Sequence, residues 1–145
     1  IPQDKGIVMA TTSLCVAQLV YNSSIDVMVL GGMLRKEFPS MYGPVTESIL
    51  GGFRVDVLFV GCDGAHSVEG FYTTEPRISS LEQTMIRNAD RVVLVTESAK
   101  FGRRSFVRYA TPRDVNVVVT DDGISPEDCA NLKEQGIEVL IARDY

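Results

Sequence analysis

The residues in this chain whose types could do chemistry stand where apolar runs stop. Asp63 closes the run Val57-Leu58-Phe59-Val60-Gly61-Cys62. Its carboxylate could accept hydrogen bonds from sugar hydroxyls or serve as a general base; it could equally cap the backbone of its own turn. Gly64 beside it lets a ligand come close to the main chain. Lys100, within Glu97-Ser98-Ala99-Lys100-Phe101-Gly102-Arg103-Arg104, lies next to a hydroxyl and suits an anion, whereas Arg103 and Arg104 also read as a solvated face. Thr12 and Ser13 open a helix starting near Leu14, where hydroxyls and free N–H groups can hold phosphate, although simple N-capping is the commoner use. Arg35 follows Gly31-Gly32 and could clamp a phosphate or carboxylate through two N–H groups. Its alternative is a solvated arginine in a tight turn. His66 reads as a surface residue rather than an acid–base group, and Asp121-Asp122-Gly123 as turn chemistry.

Positioning these groups requires strands that end together. Strands are expected at 6–11, 26–30, 55–60, 91–95, 116–120 and 138–142, and helices at 14–21, 45–50, 79–88 and 126–134. The unbroken apolar run at 55–60 reads as a strand buried on both faces, as in parallel sheets. Ser125-Pro126 gives an N-cap followed by proline at the first helical position, with Glu127 and Asp128 in the first turn. Alternation of strands and helices implies right-handed crossovers and an open, mostly parallel, Rossmann-like α/β sheet with helices on both faces. Ligands of such sheets bind beyond the carboxyl ends of the strands. Two stretches break the rhythm: residues 31–43, and a polar loop at 64–77 that holds Thr73 and Thr74. Long loops inside a compact domain are usually functional or disordered.

A length of 145 residues suggests one domain, and 45% hydrophobic content is enough for a core. A formal net charge of −5 argues against broad gripping of a phosphate backbone, which needs a basic face. No apolar stretch approaches the ~20 residues of a membrane span, so no membrane partner is expected. Cys15, Cys62 and Cys129 are widely spaced and His66 is the sole histidine, which makes a metal site improbable and implies a reducing, cytoplasmic protein with unpaired thiols. No cofactor is expected. Four consecutive strands ending in small, hydroxyl or charged residues favour a small, polar, phosphorylated ligand.

Thr11-Thr12-Ser13-Leu14, Gly31-Gly32-Met33-Leu34-Arg35, Gly43-Pro44, Phe59-Val60-Gly61-Cys62-Asp63-Gly64, Glu97-Ser98-Ala99-Lys100-Phe101-Gly102-Arg103 and Thr120-Asp121-Asp122-Gly123 follow one another in an order and spacing that resemble the C-terminal sensor domain of DeoR-family transcriptional regulators. The resemblance spans residues 6–142. It implies a fold similar to ribose-5-phosphate isomerase and the coenzyme A transferases. It further implies an effector-binding, oligomerising domain of a bacterial repressor of sugar catabolism that senses a phosphorylated sugar metabolite. DNA would be bound only through an N-terminal helix-turn-helix domain, expected to be missing from residues 1–145 together with the first βα unit and its Asp-x-Gly-Thr-Thr turn. By the same resemblance, Thr12 and Ser13 lie on the phosphate side, Asp63 and Lys100 face the ligand's hydroxyls and phosphate, and Arg35, Thr73 and Thr74 border them.

The chain departs from the family's pattern in having Glu97-Ser98-Ala99-Lys100 in place of Asp-Ser-Ser-Lys, and Arg77-Ile78 and Glu82 in place of an acidic pair and lysine. The rival is a sugar-phosphate isomerase using Asp63 and Lys100, but the Asp-Gly-Ala-Asp-Glu turn and glycine-rich lysine loop of those enzymes are lacking. The expectation is therefore no catalysis. A third reading, a pure oligomerisation scaffold, would make Phe71, Tyr72 and Phe106 exposed subunit contacts.

Overall fold

The computed structural model describes residues 6–143, which divide into two compact units, one through Phe53 and the other from Arg54 onward. Each is described by itself.

In the first unit, β1 (Val8–Thr11) and β2 (Asp26–Val29) pair in parallel, Val8 opposite Asp26, with α1 (Leu14–Val20) between them in sequence. Parallel neighbours require such a crossover. Residues 31–43, read from sequence as a loop, contain an antiparallel hairpin of β3 (Met33–Arg35) and β4 (Ser40–Tyr42), followed by α2 (Pro44–Leu50). Gly32 explains the local geometry. It has a φ of +154°, and a Cβ there would stand 2.0 Å from Thr46 Oγ1 and 2.7 Å from the Tyr42 carbonyl. Thr46 in turn donates to the Gly31 carbonyl at 2.7 Å. The close approach that this glycine permits is therefore to its own helix and hairpin.

The second unit runs β5 (Val55–Val60), β6 (Gly64–His66), β7 (Gly70–Thr73), α3 (Pro76–Arg87), β8 (Ala89–Val95), β9 (Val107–Ala110), β10 (Val117–Thr120), α4 (Pro126–Glu134) and β11 (Glu138–Ile141). Four strands form one parallel sheet in the order β11-β10-β8-β5, flanked by helices. The fold is thus mixed α/β around an open, Rossmann-like sheet, as expected. Strands joined by helical crossovers all point one way, so their carboxyl ends share one edge. Leu94 and Val118 from the sheet and Leu132 from α4 are fully buried together.

Three expectations change here. Residues 64–77 are not a bare polar loop: β6, β7 and β9 make a second, antiparallel sheet, with β7 central. Phe71 and Tyr72 are accordingly buried in that sheet, and of the three apolar residues considered for subunit contacts only Phe106 is exposed. β5 occupies an edge of its sheet, pairing with β8 alone among the described residues, and it is not buried on both faces, since Phe59 is 70% exposed. Among the described residues no helix is long and apolar enough to cross a membrane.

Candidate functional site

At the carboxyl edge of the parallel sheet an open pocket of about 410 Å³ is lined by the residues that follow three adjacent strands. Gly61 and Cys62 follow β5, Thr96 follows β8, and Thr120 and Asp121 end β10; Lys100 closes one side.

Lys100 ends a short 3-10 turn, Ser98–Lys100, in which its N–H donates to the Glu97 carbonyl at 3.0 Å. Asp121 fixes that turn. Its carboxylate accepts from the Ser98 hydroxyl at 2.5 Å, the Ser98 N–H at 2.7 Å and the Gly123 N–H at 3.0 Å. The Ser98 hydroxyl, followed by these backbone N–H groups, holds the carboxyl at a pKa of about 2, so Asp121 stays ionised. Gly123 leaves this pair undisturbed, since a Cβ there would stand 2.5 Å from Ser98 Oγ and push on the bond. The Asp-Gly element is indeed turn chemistry, and its consequence is the placement of a lysine.

Cys62 donates its thiol to Thr96 Oγ1 at 3.3 Å. Burial raises its pKa, so it presents a neutral thiol rather than a nucleophilic thiolate. Below the pocket Tyr109, 4% exposed, donates its hydroxyl to the Gly61 carbonyl at 2.6 Å and so holds the turn after β5.

Asp63 is brought together with Thr73 and Thr74. One oxygen, Oδ2, accepts from the Thr74 N–H at 2.9 Å, the Thr74 hydroxyl at 3.1 Å and the Thr73 hydroxyl at 3.3 Å. The carboxylate therefore ties the end of β7 to the turn after β5, and Asp63 is not among the residues lining the pocket. Gly64 is buried against the backbone of Arg103, whose carbonyl would lie 2.4 Å from an added Cβ. His66 accepts from the N–H groups of Val68 and Glu69 at 3.3 and 3.2 Å, which makes it the clasp of the β6–β7 turn. Arg104 makes a two-point contact with Glu69 at 2.7 and 2.6 Å rather than standing alone in solvent.

In the first unit Ser13 caps α1, accepting from the Val16 N–H at 3.3 Å, and Thr11 Oγ1 accepts from the Ser13 N–H at 3.1 Å. The Thr12 carbonyl accepts from the Met41 N–H at 2.8 Å. Arg35, half-buried on β3, sets its guanidinium over the Phe38 ring, 5.6 Å from the centroid.

Of these lining residues the sequence singles out Lys100 as a ligand contact, whereas Thr96 is not named there and Thr120 enters only within the Thr120-Asp121-Asp122-Gly123 motif. Both obey the rule that singled out Asp63, standing at the carboxyl end of an apolar parallel strand.

The DeoR C-terminal sensor domain matches residues 1–122. The HTH-type transcriptional regulator GlpR of Haloferax volcanii is 28% identical over 140 residues, 97% of this chain and 55% of that protein. The HTH-type transcriptional repressor GlcR of Bacillus subtilis is 28% identical over 117 residues, 81% of this chain and 45% of that protein. The L-fucose operon activator of Haemophilus influenzae is 24% identical over 117 residues, 81% of this chain and 47% of that protein. This chain spans about half the length of the curated relatives it matches. With most of its length matched by one sensor domain, the chain belongs to the DeoR C-terminal sensor-domain family.

Proposed function

We propose that this chain is the effector-sensing domain of a cytoplasmic transcriptional regulator of sugar catabolism, that it binds a phosphorylated sugar metabolite without turning it over, and that it does so as a homo-oligomer. DNA contact would belong to another part of the longer protein, in keeping with a net charge of −5 on this chain. The sign we propose is repression, as for the Bacillus subtilis repressor GlcR, while the Haemophilus relative is an activator.

The observation that carries the reading is the open pocket at the carboxyl edge of the parallel sheet, with Lys100 held beside it on a turn pinned by Asp121. A cation on a fixed turn, next to hydroxyls and a thiol, suits an anionic polyol. Within the second unit Asp63, Gly64, Thr73 and Thr74 remain proposed ligand neighbours; Thr12, Ser13 and Arg35 of the first unit are proposed from the family resemblance alone. Asp63 supports a non-catalytic reading, because three donors on Oδ2 tie its carboxylate to the end of β7 and it stands outside the pocket lining, where a general base would have to meet the substrate proton. Signal transmission would require the effector to prefer one subunit arrangement over another.

The test is a thermal-shift screen with dihydroxyacetone phosphate, ribose 5-phosphate and fructose 6-phosphate, each beside its unphosphorylated sugar. A ligand that binds only the folded state raises the melting temperature. The expected outcome is a shift with one phosphorylated sugar, lost in Lys100→Ala. Equal shifts with phosphorylated and unphosphorylated forms would sink the phosphate assignment. Turnover of ribose 5-phosphate that Asp63→Asn abolishes would overturn the non-catalytic reading.

A further inference from the structure

Thr120 is the last residue of β10, after Val117, Val118 and Val119, and it lines the pocket beside Asp121. It is 2% exposed, and its Oγ1 has no hydrogen-bond partner among the described residues. Its backbone is engaged normally, with the carbonyl accepting from the Ala142 N–H at 2.8 Å. The hydroxyl alone is left out. A buried, unpaired hydroxyl is a standing cost, since its hydration is given up and nothing replaces it. Packing does not require it: valine has nearly the same shape, and the three preceding residues of this strand are valines. The hydroxyl thus serves no described partner, in a residue that lines the pocket.

We infer that Thr120 is a ligand-contacting residue of the sensor pocket, whose hydroxyl hydrogen-bonds to a hydroxyl of a bound sugar phosphate. This rests on the proposed function of the pocket and adds to it the residue that reads the sugar rather than the phosphate. A turn of χ1 between staggered wells exchanges hydroxyl and methyl without moving the backbone. That turn breaks no hydrogen bond to a described residue, because this hydroxyl makes none among them. The neighbouring Asp121 carboxylate disfavours a phosphate at this end, whereas a sugar hydroxyl can approach it. Lys100 supplies the anion contact, so the two residues divide the ligand between them.

The experiment compares wild type, Thr120→Val, Thr120→Ser and Lys100→Ala, by thermal shift and by titration calorimetry with whichever of dihydroxyacetone phosphate, ribose 5-phosphate and fructose 6-phosphate stabilises wild type. Thr120→Val is expected to melt no lower than wild type without ligand, because it removes an unpaired polar group, yet to bind about five- to tenfold more weakly. Thr120→Ser, which keeps the hydroxyl, should stay within about twofold of wild type. Undiminished affinity in Thr120→Val, with Lys100→Ala impaired, would overturn the Thr120 assignment and leave the sensor reading standing. A ligand-free Thr120→Val that melts well below wild type would show the hydroxyl to be structural and overturn it too. No shift in wild type with any of the three would overturn both readings.

Discussion

Asp121 grips Ser98 twice, through its backbone N–H at 2.7 Å and its hydroxyl at 2.5 Å. The two residues are 23 apart in sequence, and the contact joins the loop after β10 to the turn that carries Lys100. A flexible lysine on a free loop would lose entropy on binding an anion, whereas a turn fixed at its base has already given up its backbone part.

Asp121→Ala should therefore weaken effector binding by freeing the turn that carries Lys100, and lower the melting temperature at neutral pH. The pH dependence identifies the cause. The carboxyl is held at about 2, below its ordinary 3.8, so its stabilising contribution is present above the ordinary value and fades as pH falls toward 2. Melting curves of wild type and Asp121→Ala should differ at pH 7 and converge near pH 2. A gap that persists unchanged at pH 2 would mean that the ionised carboxylate is not what holds the turn.

Gly64 offers a separate test, because a ligand-contact role and a packing role predict different losses. An added methyl group would meet the Arg103 carbonyl at 2.4 Å, an approach that backbone on both sides makes hard to relieve. Gly64→Ala should destabilise the fold by about 1–3 kcal/mol, the usual cost of forcing extra volume into packed structure. Urea denaturation without ligand measures it. A Gly64→Ala protein with wild-type stability but impaired effector binding would instead favour close approach of a ligand.

Much of this was legible in the sequence. Val117-Val118-Val119 and the Ser125-Pro126 start of α4 announce themselves through local patterns, and the observed strand and helix lie there. Lys100 stood out because it follows a strand end. The second sheet did not show, because β6 and β7 are short and glycine-bearing and β7 finds its outer partner in distant β9, Phe71 opposite Ala110. The same limit applies to side chains. Asp63 could be singled out by type and position, but its partners Thr73 and Thr74, ten and eleven residues on, depend on where β7 returns. Thr120 belongs to a motif visible in the sequence, but nothing there marks it as a ligand contact, because a threonine after three valines is an ordinary strand residue until its hydroxyl is seen to lack a described partner.

Tyr109 reports on the floor of the site from beneath. Its hydroxyl donates to the Gly61 carbonyl at 2.6 Å, and the side chain is buried. Tyr109→Phe leaves that carbonyl without this donor and should cost about 1–2 kcal/mol at pH 8, measured by urea denaturation. Burial, with smaller repulsion from Glu82, Cys62 and Asp63, drives the phenol's ionisation well above the ordinary value of 10. A raised folded pKa gives stability that is complete below the unfolded value and is lost as pH climbs past it. Above pH 10 the unfolded chain can release the Tyr109 proton while the folded chain cannot, so wild type should lose stability faster than Tyr109→Phe. The gap between them should narrow at pH 11 relative to pH 8. If it stays constant, the phenol ionises as readily in the folded protein as in the unfolded chain, and its tight hold on Gly61 is not what the structure describes.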